Sequence, residues 1–217
     1  MIKEKENIKG LVLNEQYHEL CELMNEKKSR LSVLLSLSYT ADDNVRFKVI
    51  KAAGYAASAL SEHELEFVRT VIGNLFWSLN DDSGSIGWSS PELLGEIIST
   101  RIDLFKEYIP HVISLLTIKE TYFRPGVLWA MGRIASREPS HIKPYLPYIK
   151  MYLADSRAET RAYAVWCLNQ IGAPVPDEHL RRLLQDTAEV LLLDGQGNIR
   201  KKTIGQITQE AGGREKQ

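Results

Sequence analysis

Residues 122–134 read Tyr-Phe-Arg-Pro-Gly-Val-Leu-Trp-Ala-Met-Gly-Arg-Ile, and residues 159–171 read Glu-Thr-Arg-Ala-Tyr-Ala-Val-Trp-Cys-Leu-Asn-Gln-Ile. Counted from Arg124, apolar residues fall at −1, +3, +4, +7 and +10: Phe123, Val127, Leu128, Met131 and Ile134. Counted from Arg161, the same positions hold Thr160, Ala164, Val165, Leu168 and Ile171. That spacing is the single stripe of an amphipathic helix. The anchor recurs at Arg46, Gly87, Arg124, Arg161 and Arg200, with spacings of 41, 37, 37 and 39 residues. Three anchors carry glycine eight positions later, at Gly54, Gly95 and Gly132. Acidic residues stand before the anchors, at Asp42-Asp43, Asp81-Asp82, Asp155 and Asp194, placed to cap the helix that follows.

A second helical pattern precedes each anchor. Ser61-x-x-Glu64 reads as a capping box opening a helix through Leu65, Val68, Ile72, Leu75, Phe76 and Leu79. The next are Asp103–Ile118, Ser140–Leu153 and Asp177–Leu193, and Glu15–Leu37 reads as another helical pair. No segment alternates with period two, so no strand is expected. A helical hairpin repeated about every forty residues cannot bury its stripe alone and must stack on its neighbours. The expected fold is all-α: a right-handed α-α superhelix (α-solenoid) of about five hairpins. Residues 1–13 read as a flexible N-terminal segment, 14–211 as one solenoid domain, and 212–217 as a disordered tail.

Composition narrows the function classes. The chain has 217 residues, 27 Lys+Arg against 28 Asp+Glu, and 44% hydrophobic residues, an ordinary globular balance. A net charge of −1 argues against nucleic acid, whose binding rests on neutralised phosphates. No apolar run is long enough to cross a membrane, and the N-terminus has no apolar signal core. Cys21 and Cys167 sit in helical patterns and read as reduced thiols, which points to the cytoplasm.

The segment Tyr145-Leu-Pro-Tyr-Ile-Lys-Met-Tyr-Leu-Ala-Asp155, followed by Arg161 and an alanine-rich helix, resembles a HEAT repeat. So does Tyr108-Ile-Pro-His-Val-Ile-Ser-Leu-Leu116, followed by Phe123-Arg124 and Trp129-Ala-Met-Gly132. The resemblance covers roughly residues 40–210 and is nearest the short bacterial type named after phycobilisome lyases. It implies that Pro110 and Pro147 bend first helices, and that Asp155 with Arg46, Arg124 and Arg161 ties adjacent repeats together. The second repeat departs from the pattern: Gly87 replaces the arginine and Pro91 falls within the helix.

On each second helix, positions +1, +5 and +9 point away from the core stripe. They hold Phe47, Lys51 and Tyr55; Trp88, Glu92 and Glu96; Pro125, Trp129 and Arg133; Ala162, Trp166 and Gln170. Trp88, Trp129 and Trp166 would form an aromatic strip, with Lys51 facing Glu92 and Glu96 facing Arg133. Aromatics and arginine dominate binding hot spots, so the expected site is a concave groove for a protein or peptide partner. The groove comprises Phe47, Lys51, Tyr55, Trp88, Glu92, Glu96, Trp129, Arg133, Trp166 and Gln170; the competing placement packs the tryptophans between repeats or under a terminal helix. The segment Asp81–Glu92 adds a small-residue loop that delivers Trp88 and Glu92.

The five histidines fall singly, and the pairs His18-Glu19 and His63-Glu64 are two where HEAT-like di-iron hydroxylases have four, so no metal is expected. Nucleotide-binding and nucleophile-elbow motifs are absent, and no cofactor or catalytic residue is expected. The sequence therefore suggests a non-enzymatic scaffold or adaptor. One alternative is a HEAT-like glycosylase removing alkylated bases from DNA, with Glu92 as its carboxylate. Another is a chromophore lyase or pigment-protein chaperone.

Overall fold

In the computed structural model, which describes residues 2–79, 89–118, 121–194 and 198–212, both diagnostic stripes are buried. Val127, Leu128, Met131 and Ile134 have no exposed surface, nor do Thr160, Ala164, Val165 and Leu168. The fold is an all-α repeat fold carrying one small β-hairpin. The chain divides into two compact units, Met1–Phe105 and Lys106–Gln217, where the sequence suggested one domain over 14–211.

The first unit comprises α1 (Ile2–Leu13), α2 (Tyr17–Glu26), α3 (Arg30–Ser36), α4 (Asp43–Ser61), α5 (Leu65–Ser78), α6 (Ser90–Thr100) and α7 (Ile102–Phe105). Helix α4 is its centre, packed against α2, α3, α5 and α6. Its alanines Ala52, Ala53, Ala56 and Ala57 are all buried, which lets neighbours approach closely. Asp42 caps it, accepting from the amides of Asn44 and Val45. The capping box at Ser61 does not form: Ser61 ends α4 and donates to the Ser58 carbonyl, while Glu64 accepts from Lys28 at 2.8 Å. The segment read as flexible is helix α1. Its lysines and glutamates disguise an apolar pair, Ile8 and Val12, four residues apart and fully buried, and Arg30 clasps Glu4 at 2.9 Å.

The second unit comprises α8 (Ile109–Ser114), α9 (Arg124–Ala135), α10 (Leu146–Met151), α11 (Ala158–Ile171), α12 (Asp177–Leu184), β1 (Glu189–Leu193), β2 (Ile199–Thr203) and α13 (Ile204–Gly212). Its first helices are interrupted where proline stands. Pro110 and Pro147 lie in the opening turns of α8 and α10, and single 3-10 turns flank both helices. Proline-free α5 runs unbroken for 14 residues. Pro91 likewise occupies the opening turn of α6, where its missing N–H has no cost.

The last repeat corrects the sequence reading. Asp177–Leu193 is not one helix: α12 ends at Leu184 and β1 begins at Glu189. The fifth anchor, Arg200, lies in β2, which pairs antiparallel with β1. The second-helix position is taken by α13, packed on α11 and α12. Thr203 and Gln206 form its capping box: each side chain accepts from the other's backbone N–H, at 3.2 and 2.9 Å. The hairpin is thus inserted between the two helices of the final repeat. The residues of the presumed tail beyond Gly212 lie outside those described.

An Arg–Asp rung repeats along the second unit. Arg124 donates to Asp155 Oδ2 at 3.1 Å, and Asp155 Oδ1 accepts from the Arg157 amide. Arg161 donates to Asp186 Oδ2 at 2.8 and 2.9 Å, and Asp186 Oδ1 accepts from the Ala188 amide. Asp186, not Asp194, is therefore the acidic residue of the last repeat. In the first unit Arg46 pairs with Asp43 at 2.7 Å, and Asp81 and Asp82 fall outside the described residues.

The recurring glycine has a steric cause. A Cβ on Gly132 would lie 2.3 Å from Cζ3 of Trp166, and one on Gly54 would lie 2.8 Å from Cγ of Glu96. Gly132→Ala is therefore expected to destabilise the protein by about 1–3 kcal/mol through overpacking. Gly54→Ala should cost less, because a Glu side chain yields more readily than an indole. Gly73, in α5 with open space around it, should gain up to about 1 kcal/mol as Ala. Denaturant midpoints of the three variants check that order.

Candidate functional site

Helix α4 presents Phe47, Lys51 and Tyr55, and α6 presents Glu92 and Glu96; Trp88 lies outside the described residues. Tyr55 stacks on Tyr17 of α2 with ring centres 4.5 Å apart, and Lys51 Nζ sits 5.5 Å above the Tyr17 ring. The Tyr17 hydroxyl is enclosed, without a hydrogen-bond partner among the described residues. Burial first, then the Glu15, Tyr55 and Glu96 charges, pushes its phenol up to about 12. Phe47 is buried beneath the Arg46 guanidinium, 4.4 Å from its ring centre.

Lys51 and Glu92 do not form the ion pair anticipated from their spacing; among the described residues the charge acting on Glu92 is Arg46. Glu92 Oε2 is enclosed and accepts no hydrogen bond among the described residues. Burial raises its carboxyl above the ordinary range, and Arg46 opposes that rise only in part. Glu96 is buried with its Cγ against Gly54. Arg133, its anticipated partner, belongs to the other unit.

In the second unit, Trp129 and Trp166 are brought together but not left open. Their rings lie parallel within 1° with centres 6.3 Å apart, and Tyr163 meets Trp166 edge-on. Both tryptophans are buried, at 3% and 5% exposure. The inserted hairpin brings β1 alongside. Trp129 Nε1 donates to the Leu193 carbonyl at 3.1 Å, the Leu193 amide donates to the Tyr163 hydroxyl at 3.0 Å, and that hydroxyl donates to the Leu191 carbonyl at 3.3 Å. Val190, Leu192 and Leu193 are buried with them. Helical counting placed the tryptophans off the repeat stripe but could not reveal that the chain covers them itself.

Beside this covered strip a cavity of about 560 Å³ remains. Three anticipated residues line it, Arg133, Trp166 and Gln170, with Arg137, Asn169, Arg200 and Lys202 among the others. Asp194 and Glu210 supply opposing charge. Sequence reasoning missed Tyr163, Arg137 and the hairpin cations. The signal for the last was available: Asp194-Gly-Gln-Gly-Asn198 separates two short runs, as turn residues between strands do.

Among the described residues no three His, Cys, Asp or Glu side chains converge to hold a metal ion. His18 faces Glu22 at 3.5 Å on the surface. Burial pushes the Cys167 thiol far up and the Cys21 thiol up to a lesser degree, so neither is an activated nucleophile. No described helix is long and apolar enough to cross a membrane.

Residues 121–171, from the turn before α9 to the end of α11, match the family model described as a HEAT-like repeat. The chain is also similar to an uncharacterized protein of Archaeoglobus fulgidus. The two are 27% identical over 180 residues, covering 82% of this chain and 94% of that one.

Two outcomes follow from this geometry. Trp129→Phe keeps an aromatic ring but loses the indole N–H and some buried volume, leaving the Leu193 carbonyl without its donor, and should cost about 1–3 kcal/mol in denaturant unfolding. Glu92 titrates higher in the folded protein than in the unfolded chain, so the folded state binds the extra proton. Its contribution to stability therefore falls as pH rises from the ordinary carboxylate range through the folded value. Glu92→Gln should remove that fall, so its melting temperature relative to wild type should climb between pH 4.5 and 7.

Proposed function

Because residues 121–171 are a HEAT-like repeat, we propose that the chain is a non-enzymatic scaffold or adaptor that binds a protein or peptide partner. One observation carries the reading. The face built by α9 and α11 holds an extended stretch of polypeptide, using an indole N–H and a tyrosine hydroxyl on its main-chain groups. Those side chains do for the edge of β1 what a neighbouring strand would do, which is the chemistry of extended-peptide recognition. The stretch held is the chain's own, and the partner's place is the cavity beside it, where Arg133, Trp166 and Gln170 remain as lining. Of the groove residues anticipated in the first unit, Lys51 and Tyr55 gather around Tyr17, and Tyr55 is 45% exposed.

Because Trp129 and Trp166 are buried, truncating them would test folding and not binding. A photo-crosslinking amino acid at Gln170, compared with one at the 71%-exposed Met151, avoids this. Expressed in the source cell, the Gln170 variant should give a discrete protein adduct that the Met151 variant lacks. Identical adduct patterns, or none from Gln170, would overturn the reading.

A further inference from the structure

The hairpin register places Leu191 opposite Lys201 and Leu193 opposite Ile199. Leu191 and Leu193 turn their main-chain groups to Tyr163 and Trp129, so the pairs bonded across the hairpin are Val190 with Lys202 and Leu192 with Arg200. Two consequences follow. The main-chain groups of Ile199 and Lys201 face the other way, along an edge of β2 that has no strand neighbour among the described residues. Arg200 and Lys202, two positions apart, share one face of the strand, and both line the cavity.

Among the cations that line that cavity, Arg137 is the one the described carboxylates leave unmatched. Four cations line it, Arg133, Arg137, Arg200 and Lys202, against two anions, Asp194 and Glu210. Glu210 is taken by Lys202, at 2.6 and 2.7 Å. Asp194 stands 3.8 Å from Arg200 Nε, at the long limit of an ion pair, and Arg200 is 61% exposed. Arg137 makes no ion pair or hydrogen bond among the described residues, and neither do the side-chain amides of Asn169 and Gln170.

We propose that this cavity and the open edge of β2 together bind an extended acidic peptide, which adds as a strand beside β2. Its glutamate or aspartate side chains then enter the cavity against Arg137 and Arg200. A residue paired opposite Arg200 or Lys202 would project to the same face as they do, so strand addition and carboxylate delivery are one geometry. Arginine forks suit carboxylates. The unengaged amides of Asn169 and Gln170 can donate to a carboxylate or accept from a peptide N–H. Asp194 and Glu210 disfavour a dense polyanion and limit the site to a few negative charges. The proposal rests on the peptide-binding reading above and names the partner's chemistry.

The test is fluorescence anisotropy on the full chain with three labelled probes. These are a six-residue peptide alternating valine with glutamate, its glutamine counterpart, and a single-stranded oligonucleotide of matching charge. The glutamate peptide should bind at least tenfold more tightly than the other two. Arg137→Glu with Arg200→Glu should weaken it at least tenfold at an unchanged melting temperature, whereas Lys28→Glu in the first unit should leave it unaltered. If the charge reversals lower stability, the milder Arg137→Ala, at an exposed position, reads the same loss. Equal affinity for the glutamate and glutamine peptides, tighter binding of the oligonucleotide, or indifference to the arginine variants would overturn the proposal. A Gln170 crosslink that survives Arg137→Glu with Arg200→Glu would overturn it while leaving the peptide-binding function standing.

Discussion

The second unit depends on how closely two helices can approach. Gly132 of α9 has no side chain, and an edge of the Trp166 ring from α11 fills the space where one would be. That contact sets the α9–α11 separation and lays Trp166 parallel to Trp129. The paired indoles, with Tyr163 edge-on, then make a floor that is apolar in area but carries an N–H and an O–H at defined points. A segment offering main-chain acceptors and a donor at strand spacing satisfies both groups. Strand β1 does so with the carbonyls of Leu191 and Leu193 and the Leu193 amide. The hairpin's seat thus follows from one missing methyl group.

The Arg–Asp rungs explain how a repeat can absorb such an insertion. Each aspartate spends one oxygen on the arginine of the preceding repeat and the other on a backbone amide two residues ahead. The rung fixes where a first helix ends without requiring what comes next. After Asp155 the chain enters α11 almost at once. After Asp186 it leaves for β1 and β2 and returns as α13, whose Gly205 amide donates to the Asp186 carbonyl. A Cβ at Gly205 would lie 2.6 Å from the Leu184 carbonyl oxygen, so the return is as tight as the departure. The ladder preserves the repeat and tolerates the hairpin.

This division accounts for what could be read from the sequence. The stripes from Arg124 and Arg161 and the cap at Asp42 were legible because each is set by near neighbours, whereas the Arg–Asp tie came only from the resemblance, which did not say which arginine meets Asp155. Helix α1 was hidden because its two core residues are diluted by charge, and the split of Asp177–Leu193 because leucines suit helix and strand alike. For Trp129 and Trp166 helical counting gave a direction and left open whether they faced a groove or packed under a terminal segment; β1 lies over them. Their cover comes from residues 64 positions further on for Trp129, a contact no local pattern announces. Arg133, Trp166 and Gln170 did converge on one cavity, because position within the repeat fixes direction even when it does not fix exposure.

A net charge of −1 says nothing of how the charges are distributed over the surface. The structure separates them by face: Lys201 is matched by Glu189 on one face of the hairpin, while the opposite face turns Arg200 and Lys202 towards Arg133 and Arg137. A strand can keep its two faces electrically distinct because alternate residues point to opposite sides. A helix inserted at the same place, turning about 100° per residue, would have spread Arg200, Lys201 and Lys202 over more than half of its circumference. The inserted element had to be a strand for the cations to converge on one cavity, and the same strand leaves an open backbone edge beside them.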